Sequence, residues 1–124
     1  MAAPDEVVNL AEKLALVEDQ WSPKIVGRMN DLHLLVAKVE GKFLWHQHDD
    51  TDEFFLVTSG RLTIQLEDRD DVVIGPGEFF VVPRGVSHCP TASEECHILL
   101  IEPVETINTG DAPQNDRTAT AEWI

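Results

Sequence analysis

Gly41-Lys42-Phe43-Leu44-Trp45-His46-Gln47-His48, running on through Asp49-Asp50-Thr51-Asp52-Glu53 to Gly60, is the stretch that decides the fold of this chain. A second stretch, Gly77 to Pro83, Gly85 and His88, completes it. Side chains alternate faces along a strand, so His46 and His48 share one side while Gln47 takes the other. The acidic turn Asp49-Asp50-Thr51-Asp52 brings Glu53 back as the first residue of the next strand, and His88 joins them from a neighbouring strand. Neutral imidazole and carboxylate suit Fe, Mn, Ni, Cu or Zn, and four protein ligands leave one or two positions open on such an ion. Each residue alone has a plainer explanation: a His-x-His pair on a wet strand, a solvated turn glutamate, a strand-end histidine. The joint spacing, with glycines and a proline at matching intervals, makes one divalent-metal site of His46, His48, Glu53 and His88.

Outward from these stretches, Lys24 to Glu102 reads as short runs of Val, Ile, Leu and Phe separated by turn residues. The runs predict strands over 24–29, 33–39, 43–48, 53–59, 61–66, 72–75, 79–82, 86–89 and 96–102. Gly60 falls in a tight hairpin, and Pro76-Gly77 has the sequence of a type II turn. Many short strands with closely spaced turns argue for an all-β sandwich or barrel. Before them, Val7, Leu10, Ala11 and Leu14 have helical spacing over residues 5–17, with Asp5 as N-cap, until Trp21-Ser22-Pro23 breaks the pattern. A chain of 124 residues fits one domain. We divide it into an N-terminal helical segment (1–23), a β-barrel (24–102) and an extended polar tail (103–124) whose Trp123-Ile124 end docks on the body.

The stretch Gly41 to Gly60 resembles the first motif of the cupin superfamily, G-x5-H-x-H-x4-E-x6-G, and Gly77 to His88 resembles its second, G-x5-P-x-G-x2-H. The resemblance covers about residues 24–102. It implies an all-β, single-domain jelly-roll barrel and places His46, His48, Glu53 and His88 on the family's metal ligands. Gly60, Gly77, Pro83 and Gly85 fall on its turn positions. Four residues rather than five separate Gly41 from His46, and Ala92 stands where the second motif carries asparagine; neither position is a ligand in the family. The segment Ile101 to Gly110 also looks like that of short cupins loosely labelled mannose-6-phosphate isomerase-like.

Composition narrows the chemistry. Nine basic against 23 acidic residues give a formal charge of −14, which repels nucleic-acid phosphates and anionic lipid surfaces. No apolar run is long enough to span a membrane, and Met1 to Glu6 has no basic region leading into one. Cys89 and Cys96 are too few for a disulfide scaffold and point to reduced thiols in a cytoplasmic protein. The chain has no tyrosine, so the histidine–tyrosine acid–base pair of cupin epimerases and the Cys–Tyr crosslink of cysteine dioxygenase-like cupins are both excluded. A phosphosugar needs cations aimed at its phosphate; Arg84 is the best placed, and it reads more simply as solvated surface.

These observations predict an enzyme acting on a small oxygenated or carbonyl-bearing molecule, of isomerase, lyase or dioxygenase type. Glu53 is the catalytic residue: a ligand that, when it swings off the ion, accepts a proton. His97 is a second candidate base, although it and His33 read better as satisfied structural histidines. A non-catalytic module that binds or senses a small ligand, with a structural metal, is the competing expectation. Strand parity turns Trp45, Phe54 and Leu56 outward, a face too apolar to stay wet, which predicts a homodimer.

Overall fold

The computed structural model describes residues 6–113, 115, 118 and 120–124. One short helix, α1 (Leu10–Leu14), precedes eight strands: β1 (Lys24–Met29), β2 (Leu32–Lys42), β3 (Glu53–Ser59), β4 (Leu62–Leu66), β5 (Arg69–Ile74), β6 (Phe79–Val82), β7 (His88–Pro103) and β8 (Glu122–Trp123). Their hydrogen-bonded order is β5-β4-β7-β2-β1-β8, with β3 inserted between β7 and β6. The long β7 carries the architecture. It runs antiparallel to β2 from Leu32–Pro103 to Lys42–Thr91, while its first part pairs with β4 and its last part with β3. A sheet that splits in this way around two shared strands closes on itself as the expected jelly-roll barrel.

Strand parity explains the core. Leu35, Ala37 and Val39 of β2, Phe55 and Val57 of β3, Leu62 and Ile64 of β4, and Ile98 and Leu100 of β7 all point inward and are buried. On the outer side, Leu14 and Val17 seat the helical segment on Val26 and Val36. At Gly60 the β3–β4 hairpin turns with φ +86°, and a Cβ there would lie 2.8 Å from the Glu95 carbonyl oxygen, so glycine is required. The Pro76-Gly77 turn closes through Glu78 N–H donating to the Gly75 carbonyl at 3.0 Å.

Three expectations are corrected. The helix spans only Leu10–Leu14 and is capped by Asn9, whose side chain accepts from Glu12 N–H at 3.0 Å. Asp5, the expected cap, lies outside the described residues, and Val7 and Ala11 are exposed rather than on the buried face. Residues 43–48 are extended but form no full strand. Phe43 N–H donates to the Pro90 carbonyl, and Pro90 has no N–H to return the bond, so pairing resumes only at the isolated His46–His88 bridge. The runs at 86–89 and 96–102 join in the single strand β7, because Ser93-Glu94-Glu95 continue it as an exposed stretch instead of a turn. The end of the C-terminal segment docks as expected: β8 pairs in parallel with Lys24 and Ile25, and Ile124 N–H donates to the Ile25 carbonyl at 3.1 Å. Trp123 thereby packs against the core and Ile124 against the cluster under the helix. No helix among the described residues is long and apolar enough to cross a membrane.

Candidate metal centre

The fold brings the four motif residues together at one end of the barrel. His46 and His88 exchange backbone hydrogen bonds at 3.0 and 2.8 Å, so their rings start from directly paired positions. The His48 carbonyl accepts from Gly85 N–H at 2.8 Å, which ties the glycine turn of the second stretch to the first. Asp52 holds the same turn through Arg84 N–H at 2.9 Å. Glu53 opens β3, paired with Val82. All four side chains are buried, and one potential ligand atom from each lies within 4.8 Å of the others.

The hydrogen bonds behind the rings prepare them to ligate. His46 Nδ1 lies 3.0 Å from the Leu44 carbonyl and His88 Nδ1 lies 2.9 Å from the Val86 carbonyl. A carbonyl only accepts, so each ring carries its proton on Nδ1 when neutral and presents a bare Nε2. His48 and His88 Nε2 each lie 2.9 Å from Glu53 Oε2, and His46 Nε2 lies 3.9 Å from it. Three ring nitrogens thus converge on one carboxylate oxygen. The Nε2 atoms of His46 and His48 are buried with no hydrogen-bond partner, the 2.9 Å approach of His48 to Glu53 not being aligned as one. Buried polar atoms are nearly always satisfied. Two left open toward the same point are what a cation in the middle would complete.

Protonation follows from burial and neighbours. Burial pushes His46 down to about 4, against the pull of Glu53. Burial would lift Glu53, but the close approach of His48 and His88 outweighs it and holds the carboxyl down at about 2. His48 is also penalised by burial, yet its contact with Glu53 and the charges of Glu102 and Asp111 raise it above the ordinary histidine value. At neutral pH this is an ionised carboxylate beside a neutral His46, a donor set that suits a divalent transition metal.

Of the other candidates, Arg84 is exposed and paired with Asp52 at 3.8 Å. His97 lies outside the barrel with its Nε2 3.1 Å from Glu95. His33 contacts the Trp123 ring edge-on at 6.0 Å. Cys89 and Cys96 are free, buried thiols, and burial pushes Cys96 up to about 11.

A small cavity of about 30 Å³ opens beside His46 and Glu53. Trp21 and Phe43 form part of its wall, stacked at 4.8 Å, and Glu102 and Asn108 are its polar members apart from the motif residues. Motif spacing does not point to any of these four. Glu102 alone carried a usable signal: it follows Cys96, Ile98 and Leu100 at intervals of two, which turns it into the barrel. The C-terminal segment closes this end of the molecule. Gln47 N–H donates to the Asp111 carboxylate and Asp111 N–H donates to the Gln47 carbonyl, both at 2.9 Å. Gly110 sits so tightly there that a Cβ would collide with the Gln47 carbonyl and approach the His46 ring at 3.1 Å.

The sequence profile described as "Cupin domain" matches residues 33–102. The chain belongs to the cupin family. A cupin-2 domain protein from Shewanella frigidimarina is 45% identical, with a TM-score of 0.76 over 78% of this chain and 94% of that one. The uncharacterized protein YdbB of Bacillus subtilis is 32% identical over 72 residues, and the match spans 58% of this cupin and 64% of YdbB. Hydroquinone 1,2-dioxygenase from Sphingomonas sp. TTNP3 is 20% identical, with a TM-score of 0.73 over 83% of this chain and 35% of that one, a likeness of fold.

Proposed function

We propose that this cupin is a metal-dependent enzyme acting on a small oxygenated or carbonyl-bearing molecule, with one divalent transition ion held by His46, His48, Glu53 and His88. The observation that carries the reading is the convergence of three imidazole Nε2 atoms on Glu53 Oε2, two of them buried without a hydrogen-bond partner. A bound ion supplies Lewis-acid polarisation of a substrate oxygen. The chain's own residues supply the rest. The Leu44 and Val86 carbonyls fix the tautomers of His46 and His88. Glu53 neutralises positive charge at the site and, released from it, accepts a proton from a substrate within hydrogen-bond reach. Apolar walls such as Trp21, Phe43 and Phe55 keep bulk water out.

The test is metal analysis of the purified protein and of His48→Ala. One equivalent of transition metal is expected in the wild-type chain and none, with no turnover, in the variant. Unchanged metal content in His48→Ala refutes the ligand set. Oxygen uptake with an iron-loaded protein selects the dioxygenase branch; zinc, nickel or manganese without uptake selects isomerase or lyase chemistry. The second reading, a non-catalytic ligand-binding or sensing module, draws on one observation. A cavity of about 30 Å³ has room for little more than an ion's own waters.

The same reading includes a homodimer. Among the described residues β6 pairs with β3 alone, which leaves its other edge open. On its outer face Phe79 is 61% and Val81 39% exposed, beside the half-buried Phe54 and Leu56, with Phe54 and Phe79 stacked at 5.3 Å. α1 covers other strands and leaves this apolar edge open, which a second copy covers. Two buried free thiols fit a reducing, cytoplasmic setting.

A further inference from the structure

Among the described residues, Glu102 is the one buried carboxyl that the metal centre does not use. It is 7% exposed, inward-facing near the end of β7, and paired across the sheet with His33. Among the described residues no lysine or arginine forms an ion pair with it; the charges that act on it are those of Glu53 and His48. Such a carboxyl is costly to bury and adds nothing to the packing of Ile98 and Leu100 beside it.

Its position separates two spaces. The cavity of about 30 Å³ beside His46 and Glu53 has Glu102 in its wall. A second cavity, of about 360 Å³, also has Glu102 in its wall, with His33, Ile107 and Ala121. Glu102 is the only described residue that lines both. A third cavity, of about 440 Å³, adjoins the second through Pro103, Glu105, Thr106 and Ile107 and opens between carboxylates, Asp49, Asp50, Glu105 and Asp111. Among the described residues, no lysine or arginine lines any of the three.

We infer that Glu102 is the substrate-gripping residue of this centre and that the substrate is a small uncharged or cationic molecule bearing a hydroxyl or amine, not a phosphorylated or carboxylated one. The inference rests on the metal reading above. The volumes divide the molecule: a body of modest size fits the outer cavity, within the usual ligand range of about 300 to 1,000 Å³, and only one or two heavy atoms reach the inner one. A donor group that reaches the inner cavity from the second one meets Glu102 in the wall of both and is held there by the carboxyl oxygens. An anion would instead cross a mouth of four carboxylates, and apart from the ion itself the described residues that line these cavities offer it no cation. Burial, reinforced by Glu53, pushes the Glu102 carboxyl up to about 8, so it both donates and accepts with a neutral partner and ionises against a cationic one.

The test uses manganese-loaded protein and three probes of one shape: benzyl alcohol, benzylamine and benzoate. Manganese stoichiometry is measured first, so that failure of the metal site is seen separately from failure of this inference. Paramagnetic broadening of the probe proton signals then reports binding next to the ion. The alcohol and the amine are expected to broaden, and the amine to bind about tenfold or more tighter than benzoate. Glu102→Gln keeps the size of the side chain and is expected to retain the alcohol while losing about tenfold in the amine-to-benzoate ratio, a change that a merely structural role would not produce. Benzoate binding as tightly as benzylamine overturns the inference. So does an unchanged ratio in Glu102→Gln, or a manganese-loaded protein that broadens none of the three.

Discussion

Glu102→Gln should stabilise the ion-free protein, and by an amount that depends on pH in a defined direction. The folded carboxyl is raised to about 8 from an ordinary 4.5, chiefly by burial and then by Glu53. A group raised on folding contributes its full stability below its unfolded pKa and loses it as pH climbs through the folded one. The unfolded chain therefore ionises Glu102 from about pH 4.5 upward while the folded chain resists, and wild-type stability falls across that window. A displacement of this size corresponds to about 4 to 5 kcal/mol once the solution is above about pH 8. Glutamine does not titrate, but a buried amide without full hydrogen bonding returns about 1 to 3 kcal/mol of that. A net gain of about 1 to 4 kcal/mol remains near pH 8.5, or about 3 to 20 °C in Tm for a domain of this length. At about pH 5, where the folded carboxyl is protonated and little but the cost of the amide is left, the variant should melt at or below the wild type. The assay is thermal unfolding of chelator-treated wild type and variant followed by circular dichroism across this range. A Tm difference that does not grow between about pH 5 and pH 8.5 refutes the premise that Glu102 is buried away from a cation.

Metal loading should release a proton at mildly acidic pH, because His48 is raised above its ordinary value in the ion-free protein and must be neutral to ligate. Below that raised pKa the apparent affinity falls about tenfold per pH unit, and calorimetry in buffers of different ionisation heat counts the proton. Buffer-independent heats contradict the assignment of His48. Light scattering should give a dimer at micromolar concentration, and replacing Phe79 and Val81 with charged residues should give a monomer with the same metal content. A monomeric wild type removes the proposal that β6 is a subunit edge.

What was legible in the chain was local. β1, β3 and β6 occupy the residues that short apolar runs between turn residues predict, a local signal that needs no partner. Residues 43–48 were not legible as they stand, since their pairing depends on a proline 47 positions beyond Phe43 that lacks an N–H. β8 is two residues long in a polar segment, too short for any period to show. The four motif residues could be read because turns of fixed length hold them. The cavity wall could not, because Trp21, Phe43, Glu102 and Asn108 come from separate parts of the chain.

Glu102 lies between these cases. The period of two that sends Ile98 and Leu100 into the barrel sends Glu102 after them, and nothing in local propensity favours a carboxylate there. A leucine at that position would extend the apolar face and remove a titration that costs stability at neutral pH. Burial of an ionisable group against its own solvation, next to Glu53 and His48 and between two cavities, makes sense when a ligand supplies the partner that the fold withholds. On this reasoning the stability gained by Glu102→Gln and the loss of amine preference in the same variant are two measurements of one quantity: a buried carboxyl to which the described residues offer no cation.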